Sequence, residues 1–106
     1  MDVLVELCLI PQGGDISLSD DIAECQKIFR ARGLSHQLHA FGTNVEGEWD
    51  DVMGAIKACH ERVHERGRVR ILSTLKIATR SDRQQSLRAK VVSVEEKLTD
   101  GHVKDA

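Results

Sequence analysis

A chain of 106 residues has room for one domain and for a core that holds without cross-links. Its net charge of −2, with 30% charged residues of both signs, supplies no basic stripe, and Trp49, Phe29 and Phe41 are its only aromatic rings. This composition argues against a nucleic-acid-binding surface, which needs excess positive charge and stacking platforms.

Asp2 and Glu6 stand where a leader peptide would carry positive charge, and no apolar run approaches the roughly 18 residues of a membrane span. The reading is a soluble, cytoplasmic protein without a membrane or nucleic-acid partner. Cys8, Cys25 and Cys59 are odd in number, far apart and set among apolar residues. They read as buried free thiols of a reducing compartment.

In chain order, residues 3–10 alternate. Val3, Val5, Leu7 and Leu9 make one apolar face, and Leu4, Glu6, Cys8 and Ile10 a mixed one. That pattern predicts a central strand, ended by Pro11. A helix over 20–32 follows, with Ser19 as its cap, Asp20 and Asp21 at its positive end, and Leu18, Ile22, Cys25, Ile28 and Phe29 as its stripe.

Residues 34–41 and 43–48 predict two strands joined tightly at Gly42. The longest helical pattern then places Trp49, Val52, Met53, Ile56, Cys59 and Val63 on one side and stops at Gly67. Glu61, Arg62 and Arg66 fall toward solvent, and Arg68 opens a turn. Residues 69–78 predict a fourth strand, with Val69, Ile71, Leu75 and Ile77 on its inner face and Arg70, Leu72, Thr74 and Lys76 on the other. A last helix over about 83–98 has a narrow stripe of Leu87, Val91, Val94 and Leu98. Residues 1–98 then form the single domain, and 99–106 a flexible tail.

The order β-α-β-β-α-β plus a terminal helix predicts an α+β, ferredoxin-like sandwich on a four-stranded antiparallel sheet. Its second face would carry Leu4, Cys8, Ile10, Phe41 and Leu72 beside Glu6, Gln37, His39, Asn44, Glu46, Thr74 and Lys76. So mixed a surface is too apolar to stay wet, and it predicts a second copy of the chain packed there.

His60-Glu61-x-x-His64 matches the helix motif of zinc peptidases, with Gly67 where the longer form places a glycine. Catalytic zinc needs a third protein ligand. The longer form would take it from position 70, which is Arg70, a cation that cannot ligate. His60 also faces the helix's apolar side, so the match reads as structural or incidental and no metal is assigned. A zinc-dependent hydrolase through His60, Glu61 and His64 stays as a minor alternative.

"ELCLIPQG", "SLSDDI", "GTNVEG", "WDDVMGAIKACHERVHERG" and "RVRILSTLKIATRSDR" occur in the order and spacing of the small thiamine-binding, YkoF-like proteins. The chain resembles that family over about residues 3–98, and its wording is similar to the fungal-type members. Two departures are visible, Ala40-Phe41 where members often have Pro-Met, and Ala78 where many have Asp. The resemblance implies a ferredoxin-like fold and a homotetramer assembled as a dimer of dimers through sheet faces and edges. It also implies binding of thiamine or its hydroxymethylpyrimidine part, without a known reaction and with no required cofactor.

Such a ligand wants a carboxylate, a few hydroxyl or amide groups and an apolar wall. Glu46 is the first candidate for the carboxylate, against a reading in which it simply pairs with Lys76. Asn44 points with Glu46, and Thr43 can donate or accept at the hairpin, where turn chemistry is its other use. Glu6, a carboxylate inside an apolar strand, is either a ligand contact or half of an interface salt bridge. Ser19 is a cap first and a contact second, and Phe41 either stacks on a ring or fills an oligomer core. Arg80, Asp82 and Arg83 read as ties to the last helix or to a subunit. A purely structural or regulatory oligomer is the rival function.

Overall fold

The structure, a computed structural model, describes residues 1–13, 17–83 and 86–105, with side chains described as far as 99. Seven elements follow one another: β1 (Asp2–Gln12), α1 (Leu18–Ala31), β2 (Ser35–His39), β3 (Gly42–Glu48), α2 (Trp49–Glu65), β4 (Arg70–Ala78) and α3 (Leu87–Asp105). All strand pairs are antiparallel, in the order β2-β3-β1-β4. This is the ferredoxin-like order, with α1 and α2 on one side.

The register explains the core. Val5 lies opposite Val45 and Ile77, and Leu7 opposite Thr43 and Leu75, so these residues share the helix side. Val3, Val5, Leu7, Leu9 and Val45 pack there against Cys25 and Phe29 of α1 and Val52, Ala55, Ile56, Cys59 and Val63 of α2. The period-two residues of the central strands thus meet the period-3.6 stripes of two helices.

Three local features revise the sequence reading. β1 does not stop at Pro11, because Pro11 pairs with Ile71 and Gln12 with Arg70. A proline is tolerated near the end of a strand, where one missing donor costs little. α1 begins earlier than expected, with Ser17 at the N-cap position and without a side-chain cap bond, so Ser19 lies inside the helix instead of capping it. The Ser17 and Ser19 hydroxyls share a hydrogen bond of 3.0 Å. α2 is capped by Glu48, whose carboxylate accepts from the Asp50 amide at 2.8 Å.

Gly67 ends α2 as expected. It holds φ at +105°, where a side chain would be strained, and the following Arg68 amide returns to the Val63 carbonyl at 3.4 Å. Val69, assigned by its pattern to the inner face of the fourth strand, lies outside β4 and is 90% exposed. Gln84 and Gln85, within the expected last helix, lie outside the described residues. α3 itself continues beyond 98 to Asp105, so the expected tail carries helix. Its stripe of Val91, Val94 and Leu98 stays more than half exposed. Among the described residues no helix is long and apolar enough to cross a membrane.

Candidate functional site

The seven candidate residues do not form one site. Alternation in β3 separates them, because Thr43 faces the helices while Asn44 and Glu46 face the open side. The open face gathers Glu6, Asn44, Glu46 and Lys76. Phe41, Thr43 and Ser19 belong to the other side, around the β2–β3 hairpin and α1.

On the open face Glu6 sits between Asn44 of β3 and Lys76 of β4. One carboxylate oxygen lies 3.9 Å from the Lys76 ammonium and the other 3.5 Å from His39 Nε2. His39 Nδ1 accepts from the Phe41 amide at 3.3 Å, so Nε2 carries the proton and donates to Asn44 Oδ1 at 3.0 Å. The rival pairing of Glu46 with Lys76 is not the one found, because Lys76 turns to Glu6. Glu46 accepts from the Leu87 amide at 2.8 Å and so holds the first turn of α3, where a carboxylate is favoured by the unpaired amides and the helix dipole. Ser86 accepts from the Ala89 amide at 3.0 Å and completes that cap. Glu46 therefore serves as an anchor for α3. Arg80 and Asp82 are joined to each other at 2.7 Å, an exposed pair.

Across the sheet, a cavity of about 340 Å³ opens at the hairpin end. Leu7 and Leu9 of β1, Leu18, Ile22 and Cys25 of α1, and Leu38 and Phe41 supply apolar walls. Two polar side chains meet there: Gln26 Nε2 donates to the buried Thr43 hydroxyl at 2.9 Å. Phe41, 82% exposed, stands in the hairpin turn at the rim and is not part of the sheet face. Ser19 lines an adjoining hollow on α1 with Leu18, Ile22 and Gln26.

The hairpin geometry requires Gly42. At φ +155° a Cβ there would lie 2.5 Å from the Leu7 carbonyl oxygen, so a larger residue would push β3 off β1 at the cavity wall. Gln26 was missed from the sequence, although its place next to Cys25 on the stripe border was a usable signal.

A second network also escaped sequence reading. Asp21 is fully buried in the first turn of α1, where it accepts from Arg66 at 2.9 Å and from Arg68 at 2.8 Å. Arg68, read as a turn residue, is 6% exposed and also donates to the Gly13 carbonyl. Arg66, read as solvent-facing, is drawn to the same carboxylate. Burial pushes the Asp21 carboxyl up, but the hydrogen bonds and charges of the two guanidinium groups outweigh it and hold it below the ordinary aspartate value. The network ties the start of α1 to the end of α2 and to the end of β1.

The zinc-like motif resolves differently. His60 Nε2 shares a 2.5 Å hydrogen bond with the Ser73 hydroxyl, and His64 Nδ1 donates to the Arg68 carbonyl at 2.7 Å. The two rings lie 6.5 Å apart. Among the described residues there is no group of three or more His, Cys, Asp or Glu that would hold a metal ion.

The model of the family described as thiamine-binding protein matches residues 5–95. The chain belongs to this family. A UPF0045 protein of the cyanobacterium Synechocystis is 50% identical over 95 residues, covering 90% of this chain and 78% of that protein. A UPF0045 protein of the fungus Eremothecium gossypii is 42% identical over 101 residues, 94% of this chain and 96% of the relative. The crystal structure of a Methanocaldococcus jannaschii hypothetical protein superposes with a TM-score of 0.80 at 29% identity, covering 90% of this chain and 97% of that one. The thiamine-binding protein fold and the ferredoxin-like order read from the alternation thus agree.

Proposed function

We propose that this thiamine-binding family member holds thiamine, or its hydroxymethylpyrimidine part, in the hairpin cavity as a cytoplasmic homo-oligomer and performs no reaction on it. The carrying observation is the cavity itself, apolar on its walls with the Gln26–Thr43 pair set into them. Its volume falls within the usual range for small-molecule sites. A flat aminopyrimidine matches apolar walls on its faces and needs a donor and an acceptor at its edge, which an amide and a hydroxyl provide. Phe41 at the rim is placed to stack on a second ring. This assignment uses Thr43 and Phe41, with Ser19 beside the entrance, and gives Glu6, Asn44, Glu46 and Lys76 to the open face.

The open face supports self-association. Leu72, Ile10 and the α3 residues Val91, Val94 and Leu98 are each at least 40% exposed, and β4 is a nine-residue edge strand. Packing of a second copy through faces and edges, as a dimer of dimers, would cover them. The structural or regulatory oligomer remains the competing reading, favoured by the pairing of Glu6 within its own chain.

Titration calorimetry with thiamine and with hydroxymethylpyrimidine separates the two. Binding by the wild type, weakened about tenfold or more in Gln26→Ala, is the expected result; a lost buried hydrogen bond is worth roughly that factor. No heat from either compound at millimolar concentration, with the protein folded, overturns the binding role.

A further inference from the structure

The hairpin cavity does not end at its mouth. It runs into the hollow on α1 that holds Ser19, and the two share Leu18, Ile22, Gln26 and Leu38. The hollow is roomy, about 780 Å³, and its remaining lining is mostly polar: Ser17, Ser19, Lys27 and Arg30. Helical spacing sets this arrangement. Ser19, Gln26 and Arg30 follow one another at two turns and one turn along α1, so they share a stripe, with Lys27 at its border.

The charge of the two compartments differs. The cavity has no Lys, Arg, Asp or Glu in its lining. The hollow has two cations and, among the described residues, no carboxylate. Arg30 is exposed, and among the described residues its guanidinium has neither an ion pair nor a hydrogen bond. Lys27 meets Glu24 at 3.4 Å, and Glu24 also lies 3.5 Å from Arg62. An exposed pair of this kind holds its cation weakly, so a second anion can draw Lys27 away while Arg62 keeps Glu24. Asp20 and Asp21, in the first turn of α1, do not line the hollow, and Asp21 is already held by Arg66 and Arg68.

We propose that the site takes its ligand as a phosphomonoester, with the ring in the cavity and the phosphate in the hollow between Arg30 and Lys27. The inference rests on the cavity reading above and names the chemical form of the ligand. Arg30 follows Gln26 by one turn, about 6 Å along the helix axis. That matches a phosphate carried on a hydroxymethyl arm from a ring whose edge meets Gln26. The planar guanidinium of Arg30 donates two parallel N–H bonds to phosphate oxygens, and Lys27 adds a point charge. The Ser19 hydroxyl, bonded to Ser17 at 3.0 Å, retains capacity for one further hydrogen bond at the same wall.

Titration calorimetry on the intact protein tests this with hydroxymethylpyrimidine, its monophosphate and thiamine. The monophosphate is expected to bind about tenfold or more tighter than the free alcohol, the usual gain from charge-assisted hydrogen bonds. That advantage should shrink as salt rises, because the cations are exposed. In the double variant Lys27→Ala, Arg30→Ala the ratio of the two affinities should fall to near one, with far-ultraviolet circular dichroism confirming the helix. Lys57→Ala, the same change of charge on the exposed side of α2, should leave the ratio as in the wild type. Binding of thiamine or hydroxymethylpyrimidine with no gain from the phosphate would overturn this inference and leave the cavity reading intact, as would a gain that survives in the double variant. No binding of any of the three compounds would overturn both.

Discussion

The two faces of the sheet come from the same four strands but solve opposite problems. On the helix side, Phe29, Val45, Val52, Cys59 and Val63 lose all contact with water, and the interior charge, Asp21, is held by two arginines. On the open side the charges pair sideways along the sheet, Glu6 with Lys76 and His39, while Ile10 and Leu72 stay 40% and 53% exposed. The contrast separates the face that folds the chain from the face that folding leaves open. Burial by α1 and α2 supplies the stability, while the other face of the sheet stays partly exposed.

The largest expected effect tests that division directly. Phe29→Ala should cost about 3–5 kcal/mol, the usual loss for truncating a buried aromatic ring. Leu72→Ala should cost under about 1 kcal/mol in the isolated chain, since little apolar area is removed from water there. Urea denaturation of both variants at several protein concentrations checks this. A Leu72→Ala loss as large as that of Phe29→Ala, growing with protein concentration, would show that the open face is buried by another copy.

The second expected effect concerns the charges. Arg68→Ala leaves Asp21 buried with Arg66 alone and should cost about 3 kcal/mol, as breaking a buried pair does. The folded Asp21 carboxyl lies below its ordinary value of 3.8, so its contribution is fully present above that pH and is lost as pH falls through the folded value. Stability measured from neutral pH down to about pH 3 should therefore drop steeply in the wild type and less in Asp21→Asn, which has no carboxyl to protonate. Equal slopes would mean that the carboxylate on the covered side is as well solvated as those on the open one.

The fold was legible because its signals are periodic. Alternation in residues 3–10 and the stripe through Val52, Ile56, Cys59 and Val63 each report burial locally. The same alternation, applied to adjacent residues, already sends Thr43 and Asn44 to opposite sides of the sheet. Gly42 was legible as a tight joint, while its reason, the Leu7 carbonyl against it, lies in another strand. The meeting of Asp21 with Arg66 and Arg68 leaves no periodic trace. The partners are brought together only when α1 packs on α2. Arg68 read only as the start of a turn for that reason. Glu46 read as a ligand carboxylate or a partner of Lys76 because its partner is a backbone amide, which no side-chain pattern announces.

The smallest expected effect probes the seam where the helix cover runs out. His60 joins α2 to Ser73 of β4 at 2.5 Å, and beyond that contact Leu75 and Ile77 are already 37% and 43% exposed on the same face. Burial, and then the charge of His64, hold the His60 imidazole below its ordinary 6.5. Arg68 supplies a carbonyl to His64, and the facing group on β4 is the neutral Ser73 hydroxyl, so no carboxylate on these contacts offsets the penalty. A histidine harder to protonate folded than unfolded adds stability that is complete above pH 6.5 and declines as pH falls from there toward the folded value. His64→Ala removes the neighbouring charge and should raise the His60 titration midpoint, read from its ring proton by NMR, while Ser73→Ala should loosen the α2–β4 seam. A wild-type His60 midpoint at or above 6.5 would show that water already reaches the seam, and that the covered side of the sheet ends one strand earlier than the packing of α2 implies.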